Sequence, residues 1–362
     1  MIITIRIIFV MLGKKDFHSG GYVFNFRMVE YLRSHGIAVE IIHFTTVPAG
    51  LPSKWFSASR YVCSEIRKNK PDLVIVGKSY QYVPLLRLMS TFSDTPVLYL
   101  MHNLEWKVTR NKFKAFMYRI YVRWLLGMAE KIWVNSRNTG DAIESMGIVK
   151  NRIRIVNPGF EKDPVQLPDR SIRDERVKLL CVGSLSPGKM QHVLVKACTY
   201  LDNGSFILEF AGSIESEEEY ATSVKDLVKE ENLLDSILVS GELSPEDLTE
   251  AYMKADILVH PSCWEGFGMS ILEGMWYGLP VIASDIAAIP ELVRHEENGL
   301  LVCQGDVEEL ADAMNKLIRN RDLRLMMGKK SRMFAESVND WNDTGKEFME
   351  LVMTAARSGI SE

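Results

Sequence analysis

Two carboxylates and two glycines are concentrated in the segment HPSCWEGFGMSILEGMWYGLPVIAS, which spans residues 260–284. Glu265 and Glu273 are separated by seven residues, and Gly266 and Gly268 lie between them. Glycines let a backbone approach a ligand closely, and the free N–H groups of a helix that begins near residue 268 favour an anion such as phosphate. Those N–H groups belong to Phe267, Gly268, Met269 and Ser270. Since carboxylates accept hydrogen bonds from sugar hydroxyls, the pattern predicts a site for a diphosphate joined to a sugar.

Alternating strand and helix signals surround this segment. Runs such as TIRIIFVML, PDLVIVGKS and KIWVNS alternate with amphipathic stretches, and a second series begins with VKLLCVGS, FILEFAGS and DILVHPS. In the first amphipathic stretch, apolar residues at 23, 26, 29 and 32 predict one face of a helix that ends at Gly36. This order predicts an α/β protein with two doubly wound, Rossmann-like parallel sheets. Its ligand site is expected beyond the carboxyl ends of the strands, in the cleft between two domains.

The break between the two series falls in VNPGFEKDPVQLPDRSIRDER, a charged stretch with three prolines. We therefore predict an N-terminal domain over residues 1–160, a linker over 161–176 and a C-terminal domain over 177–340. Residues 341–362 form a last, separate helix in this interpretation.

Composition excludes several classes of protein. Five cysteines without a C-x-x-C pair argue against a disulfide or zinc framework and favour a cytoplasmic location. No apolar run reaches the roughly 18 residues that a membrane span needs, and the apolar start is better explained as a buried strand than as a signal peptide. No nucleic-acid partner is expected. The charge is uneven, with a balance of +12 over residues 1–165 and −16 over 166–362. Either the first half meets an anionic partner or the charges only keep the surface soluble.

A known family has the same arrangement of motifs. PSCWEGFGMSILEGMWYGLPVIASDIAAIPELVRHEENGLLV resembles the donor-binding signature of glycosyltransferase family 4, whose members are retaining enzymes with the GT-B fold. The resemblance implies two Rossmann-like domains facing across a cleft, and a terminal helix that crosses back to the first domain. It implies transfer of a hexose from a UDP- or GDP-sugar to a hydroxyl, with the nucleotide sugar as substrate and no cofactor. No Asp-x-Asp occurs in the chain, which favours a metal-independent reaction with no metal site.

The segment LLCVGSLSPGKMQHVLVKA resembles the strand, loop and helix that carry the family's cations for the leaving diphosphate. Lys189 matches the family lysine. Ser184 stands where members commonly have arginine, and Gly188 stands where some relatives place one. The resemblance assigns Lys189 and Glu265 to catalysis and Lys189 and Ser184 to donor binding; alternatively, Lys189 is a surface lysine after a turn.

Two further segments are assigned to the base and the phosphates of the donor. Gly241, Glu242 and Leu243 lie in VSGEL, which resembles the strand end where family members hold the base. Glu242 either accepts hydrogen bonds from guanine, which would favour a GDP-sugar, or is only a solvated residue. Gly20 and Gly21 match a family glycine loop near the donor phosphates, although a plain turn explains them as well.

His102 ends the run YLMHN, where family members often have a His-Asp pair near the reacting sugar. Asn103 replaces the Asp here. The resemblance implies a catalytic role for His102, and the alternative is a buried structural histidine.

Residues 106–129 hold six Lys or Arg and no acid. Lys112, Arg119 and Arg123 cluster beside an apolar face, and a basic aromatic helix of this kind is typical of proteins that bind an anionic bilayer. The apolar face consists of Phe113, Phe116, Met117, Ile120, Tyr121 and Trp124. A lipid-linked acceptor at the inner face of the membrane is therefore predicted, and a core helix with a solvated basic edge is the alternative.

The sequence argues against one alternative function and leaves two others open. A nicotinamide dehydrogenase would need Gly-x-Gly-x-x-Gly after a strand, and neither HSGGYV nor VGSLSPGK supplies it. A non-catalytic subunit that binds nucleotide sugars stays possible because Ser184 and Asn103 depart from the family pattern. A transferase that acts on a soluble acceptor is the alternative to a lipid-linked acceptor.

Overall fold

The computed structural model describes residues 5–12, 20–44, 52–77, 95–109, 111–127, 129–170, 176–215 and 217–357. The chain divides into two compact units. The first contains residues 1–159 together with 339–362, and the second contains residues 160–338.

The first unit is a parallel sheet with helices between its strands. Its strands are β1 (Arg6–Leu12), β2 (Ala38–Phe44), β3 (Leu73–Val76), β4 (Val97–Met101), β5 (Lys131–Val134) and β6 (Ile153–Ile155). Its helices are α1 (Gly20–Ser34), α2 (Pro52–Asn69), α3 (Glu105–Val108), α4 (Lys112–Leu126) and α5 (Arg137–Glu144). The six strands are ordered β2-β1-β3-β4-β5-β6.

The second unit repeats this plan. Its strands are β7 (Val177–Val182), β8 (Phe206–Ala211), β9 (Ile237–Gly241), β10 (Ile257–His260), β11 (Val281–Ser284) and β12 (Gly299–Val302). Its helices are α6 (Gln191–Cys198), α7 (Glu218–Glu230), α8 (Pro245–Lys254), α9 (Met269–Trp276), α10 (Ile289–Leu292), α11 (Val307–Arg319) and α12 (Arg321–Ser337). The strands are ordered β12-β11-β10-β7-β8-β9. The next helix in the chain, α13 (Trp341–Arg357), belongs to the first unit.

Every strand pair in both sheets is parallel, and each sheet has six strands, which confirms the predicted α/β class with doubly wound sheets. The interior strands β3, β4, β10 and β11 are fully buried, and apart from the last residues of β10 and β11, His260 and Ser284, they are apolar or aromatic. A strand covered by helices on both faces needs apolar side chains on both, which explains the continuous apolar runs in the sequence.

The buried face of helix α1 includes two of the four predicted positions, Val29 and Leu32, but not Val23 or Phe26. Phe24, Met28, Val29 and Leu32 are buried, whereas Phe26 is exposed. The i, i+4 spacing of 24 and 28 follows the helical repeat more closely than a spacing of three does. The helix ends as predicted, because Gly36 takes a left-handed conformation with φ of +81°.

Helix α13 completes the core of the first unit. One buried cluster combines residues of α1 and β1 with five residues of α13, which are Phe348, Leu351, Val352, Ala355 and Ala356. Gly345 allows this close approach, since a Cβ there would lie 2.3 Å from the ring of Tyr31.

The predicted linker packs, where it is described, on the second unit. Arg170 donates to the carbonyl oxygens of Ala255 (2.8 Å) and Tyr277 (2.9 Å), just after the ends of α8 and α9. Trp276 Nε1 donates to the carbonyl of Asp163 at 3.2 Å. Residues 161–170 therefore hold the helix ends of the second unit, while 171–175 lie outside the described residues.

Candidate active site

The loop from β10 to α9 presents a helix N-terminus with unsatisfied donors. Gly268 caps α9 in a left-handed conformation with φ of +107°, and no side chain caps the helix. In the described part of the chain, the structure provides no hydrogen-bond acceptor for the first N–H groups of this turn. These are the N–H groups of Phe267, Gly268, Met269 and Ser270. The phenyl ring of Phe267 is buried in the core, so only its backbone can serve a ligand.

Lys189 contacts the loop that leads into this helix. Its Nζ is 2.5 Å from Oε2 of Glu265, and the two side chains are 26% and 17% exposed. The turn that carries Lys189 is joined to the β10–α9 loop, because Cys263 N–H donates to the carbonyl of Gly188 at 2.9 Å. The predicted cation and the first predicted carboxylate are therefore held together in one place.

His260, the last residue of β10, completes this cluster. Its Nε2 lies 3.0 Å from the same Oε2 of Glu265 and 3.0 Å from Oγ of Ser262. Burial alone would raise the pKa of Glu265, but the Lys189 ammonium and the hydrogen bonds from His260 and Lys189 outweigh it and hold that pKa well below its usual range. Burial and the Lys189 charge lower the pKa of His260. At neutral pH the cluster therefore contains an ammonium, a carboxylate and a neutral imidazole.

Glu273 belongs to a separate hydrogen-bond network. The hydroxyl of Tyr252 donates to its Oε2 at 2.9 Å, and the Tyr252 ring stacks on Tyr277 with 5.2 Å between centroids. Burial raises the pKa of Glu273 to about 7, even though the Tyr252 hydrogen bond lowers it. Glu273 is thus partly protonated at neutral pH, and new hydrogen-bond donors to its oxygens would stabilise its ionised form.

The other predicted donor positions surround the same edge of the second sheet. The carbonyl of Ser184 accepts from Gln191 Nε2 at 3.1 Å, in the loop after β7. Gly241 ends β9 with φ of +76° and open space where a Cβ would be. Glu242 is exposed, and Leu243 packs against the core.

In the first unit, His102 lies at the carboxyl end of β4 and is buried. Its Nε2 lies 2.8 Å from Oδ1 of Asn25, and its ring contacts Phe24 and Trp133 edge-on. Gly21 lies against this ring, because a Cβ on Gly21 would be 3.1 Å from Cγ of His102. Asn103 is exposed.

Gly20 and Gly21 are the first two residues of α1, and the rest of the predicted glycine loop, 13–19, lies outside the described residues. The structure therefore brings Gly21 and His102 together.

Two protein-family models match consecutive parts of the chain. Residues 18–163 match Glycosyltransferase Family 4, and residues 164–334 match Glycosyl transferases group 1. The chain belongs to the GT4-type glycosyltransferases. The family resemblance read from the Glu265–Glu273 segment is confirmed.

Relatives of this glycosyltransferase are distant. It is 25% identical to a sulfoquinovosyl transferase of Arabidopsis thaliana over 90% of this chain and 68% of that protein. It is 29% identical to a D-inositol 3-phosphate glycosyltransferase of Mycobacteroides abscessus over 52% of this chain, which is only 44% of that protein. Its fold is similar to the crystal structure of Anabaena HepE in complex with UDP and glucose, with a TM-score of 0.78, 19% identity, and coverage of 96% and 99% of the two chains. The GT-B fold expected from the sequence is confirmed.

Helix α4 gives the glycosyltransferase an exposed apolar face. Val122, Leu125 and Leu126 are buried, whereas Phe113 and Phe116 are 73% and 60% exposed. Met117, Ile120 and Trp124 are exposed as well. The alternative of a core helix with only its basic edge in solvent is therefore wrong for this face. Lys112, Arg119 and Arg123 are exposed beside it, and residues 110 and 128 lie outside the described residues.

Two site residues of the glycosyltransferase were missed by sequence reasoning. His260 is the last residue of β10 and comes just before the glutamate loop, and this place in the sequence is a usable signal. Tyr252 lies on α8, 21 residues before Glu273. No local pattern connects them, because their contact depends on how α8 packs beside α9.

Among the described residues, no group of three or more His, Cys, Asp or Glu is arranged to hold a metal ion. In the same part of the chain, no helix combines the length and apolarity that a membrane crossing requires.

Proposed function

We propose that this protein is a retaining glycosyltransferase that moves a hexose from a UDP- or GDP-sugar to a hydroxyl of a lipid-linked acceptor at the cytoplasmic membrane surface, in glycan assembly. The observation that carries the proposal is the contact of the Lys189 ammonium with Glu265, in the loop that leads into the unsatisfied N–H groups at the start of α9. A helix N-terminus with an adjacent cation is a site for a diphosphate.

In this proposal the donor lies along the edge of the second sheet. The N–H groups of 267–270 and Lys189 bind the diphosphate, with Ser184 nearby, and Glu273 accepts hydrogen bonds from the ribose hydroxyls. The backbone at Gly241 to Leu243 holds the base. The exposed Glu242 is accessible to a guanine, whereas the complex of Anabaena HepE with UDP and glucose supports a uracil nucleotide.

The chemistry is charge stabilisation at the leaving group. As the bond between the sugar and the diphosphate breaks, negative charge develops on the diphosphate, and a fixed ammonium and aligned N–H groups stabilise it without reorganising. The diphosphate oxygen then takes the proton of the acceptor hydroxyl on the same face of the sugar, so that the configuration is retained. Glu265 holds Lys189 in position, and His102 is proposed to lie near the reacting sugar.

The acceptor is proposed to come from the bilayer because of α4. Its exposed aromatic face can enter the interface, while Lys112, Arg119 and Arg123 are placed to meet anionic headgroups. A soluble acceptor would leave this exposed apolar face without a role.

The test is a binding and turnover experiment with UDP-glucose, GDP-mannose and ADP-glucose. We expect one of them to raise the melting temperature and to be hydrolysed slowly without acceptor, with the α-configuration kept in the released sugar. Binding without any turnover, with or without lipid acceptors, would instead indicate a non-catalytic binding subunit. No binding of any nucleotide sugar would contradict the proposal.

Replacing Glu273 by Gln should have opposite effects on stability and on binding. The folded-state pKa of about 7 lies above the ordinary value of 4.5. Protonated Glu273 therefore contributes to the free energy of unfolding at pH below about 4.5. This contribution is lost as pH rises from about 4.5 through about 7. Since Gln cannot ionise, the variant should be more stable than wild type by about 3 kcal/mol at pH 8 and by less than about 1 kcal/mol at pH 5. Urea unfolding at the two pH values measures this.

The same variant should bind the nucleotide sugar about tenfold or more weakly, because a charged hydrogen bond to a hydroxyl contributes about 1.5–3 kcal/mol. Glu230→Gln, an exposed change on α7, is the control and should alter neither quantity. A Glu273→Gln protein with unchanged donor affinity would remove Glu273 from the site.

Removal of divalent ions should leave the reaction intact, because Lys189 and the helix N-terminus take the place that a metal would occupy on the diphosphate. We expect full transfer rates after dialysis against EDTA. A rate that falls with EDTA and returns with Mg²⁺ or Mn²⁺ would contradict this part of the proposal.

A further inference from the structure

A single oxygen atom of Glu265 is shared by two potential cations. Oε2 lies 2.5 Å from Lys189 Nζ and 3.0 Å from His260 Nε2. A carboxylate can only accept, so Nε2 of the neutral imidazole carries the hydrogen and Nδ1 is the nitrogen still able to take a proton. His260 is 2% exposed and ends a strand, so it cannot move away from this contact as an exposed side chain could.

The charges around His260 are nearly balanced in the unliganded protein. Lys189, from the turn after β7, disfavours the imidazolium, and Glu265, from the loop after β10, favours it. Ser262 is its uncharged neighbour, and Ala283 is its partner in register on β11. Because Lys189 and Glu265 bear opposite charges at hydrogen-bond distance, they largely cancel, and the cost of burial keeps the imidazole neutral.

A bound diphosphate would disturb this balance. The proposed function, on which this inference rests, brings an anion to Lys189. The ammonium would then be shared with, or drawn away to, the phosphate oxygens. In either case Glu265 loses part of its counter-charge, and His260 experiences a more negative surrounding than before.

We propose that His260 takes up one proton at Nδ1 when the nucleotide sugar binds, and that the imidazolium then compensates Glu265 while Lys189 serves the diphosphate. The proton comes from solvent, and no other bond changes. His260 is thus a positioning residue: it keeps the Glu265 carboxylate ionised and fixed during the part of the cycle in which Lys189 is engaged elsewhere. By reciprocity, binding of the nucleotide sugar becomes tighter as pH falls in the range where His260 titrates.

The test is calorimetric titration with UDP-glucose and GDP-mannose in Pipes and in imidazole buffer, from pH 6 to pH 8. These donors are chosen because a diphosphate esterified at both ends does not titrate near neutrality, as the free nucleoside diphosphate would. The buffer dependence of the heat gives the number of protons taken up. Glu273 can release a proton when it binds ribose, so the informative quantity is the difference between wild type and His260→Gln. Gln keeps an N–H donor toward Glu265 but cannot be protonated.

We expect wild type to take up about half a proton or more above the His260→Gln value, with an affinity that tightens several-fold more than that of the variant from pH 8 to pH 6. His295→Gln, an exposed change elsewhere in the second unit, should behave as wild type. Equal proton numbers in wild type and His260→Gln, with intact binding, would overturn the inference and leave the proposed function standing. Absence of binding by any nucleotide sugar would overturn both.

A measurement without substitution covers the case in which His260→Gln does not fold. With ¹³C-labelled histidine in the wild type, one of the seven imidazole rings should titrate at a higher pH when the nucleotide sugar is bound than when it is absent. If no ring changes its titration, the inference is wrong.

Discussion

Replacing Lys189 by Ala is expected to lower kcat by about 10²–10³-fold while changing the Michaelis constant for the nucleotide sugar much less. The ammonium lies 2.5 Å from Oε2 of Glu265, in the loop that leads into α9, whose first N–H groups are proposed to bind the diphosphate. Negative charge on the diphosphate is greatest as the sugar leaves, so the interaction is stronger in the transition state than in the ground state. Steady-state transfer with varied donor concentration separates the two constants.

The control for this change is Lys196→Ala, which removes an exposed ammonium from the neighbouring helix α6 and should leave kcat unaltered. Lys189→Arg keeps the charge and should recover part of the rate. If Lys189→Ala raised the Michaelis constant alone, the lysine would bind substrate and transition state equally, and its proposed role at the leaving group would be wrong.

Changing Lys112, Arg119 and Arg123 together to Gln is expected to reduce binding to vesicles rich in anionic lipid by about 100-fold, because each basic side chain near such a surface contributes about 1 kcal/mol. Affinity for the nucleotide sugar should stay the same, since none of the three side chains is among the residues assigned to the donor. Sedimentation with phosphatidylglycerol vesicles and with neutral phosphatidylcholine vesicles measures the partition. Because the Debye length is about 10 Å at 0.1 M salt, the binding should weaken as salt is added.

A triple change with the same loss of charge provides the comparison. Arg60, Arg67 and Lys68 are exposed on α2 in the same unit, and their replacement by Gln should leave vesicle binding largely intact. If the wild-type protein does not bind anionic vesicles at low salt, α4 does not bind a bilayer. Its apolar face then fits a protein partner, and the acceptor is better sought among soluble sugars.

The sequence predicted the architecture well because parallel sheets leave a strong local signal. Buried strands such as β3 and β4 are continuous runs of apolar and aromatic residues between helical patterns, and that signal needs no knowledge of distant contacts. The face of α1 was less predictable. Apolar residues at 23, 26 and 29 fit a helical stripe, but whether position 24 or 26 meets the sheet depends on how the helix lies across it.

Prediction of the site divides in the same way. The glycine at 268 and the helix start after it are local features, and the structure has them where the sequence indicated. The partners of the two glutamates are not local. Lys189 meets Glu265 across 76 residues, and Tyr252 meets Glu273 from another helix. Such contacts follow from the order of β7 and β10 in the sheet, which a single sequence does not state.

The placement of α13 has a consequence for how the chain is made. Residues 160–338 are one uninterrupted stretch, whereas the first unit needs the buried residues of α13 to finish its core. During synthesis from the N-terminus, the second unit can bury its apolar surface as soon as it has left the ribosome. The first unit is made earlier, but its core stays incomplete until α13 has emerged. A premature stop near residue 340 would therefore leave the second unit folded and expose the apolar interior of the first unit.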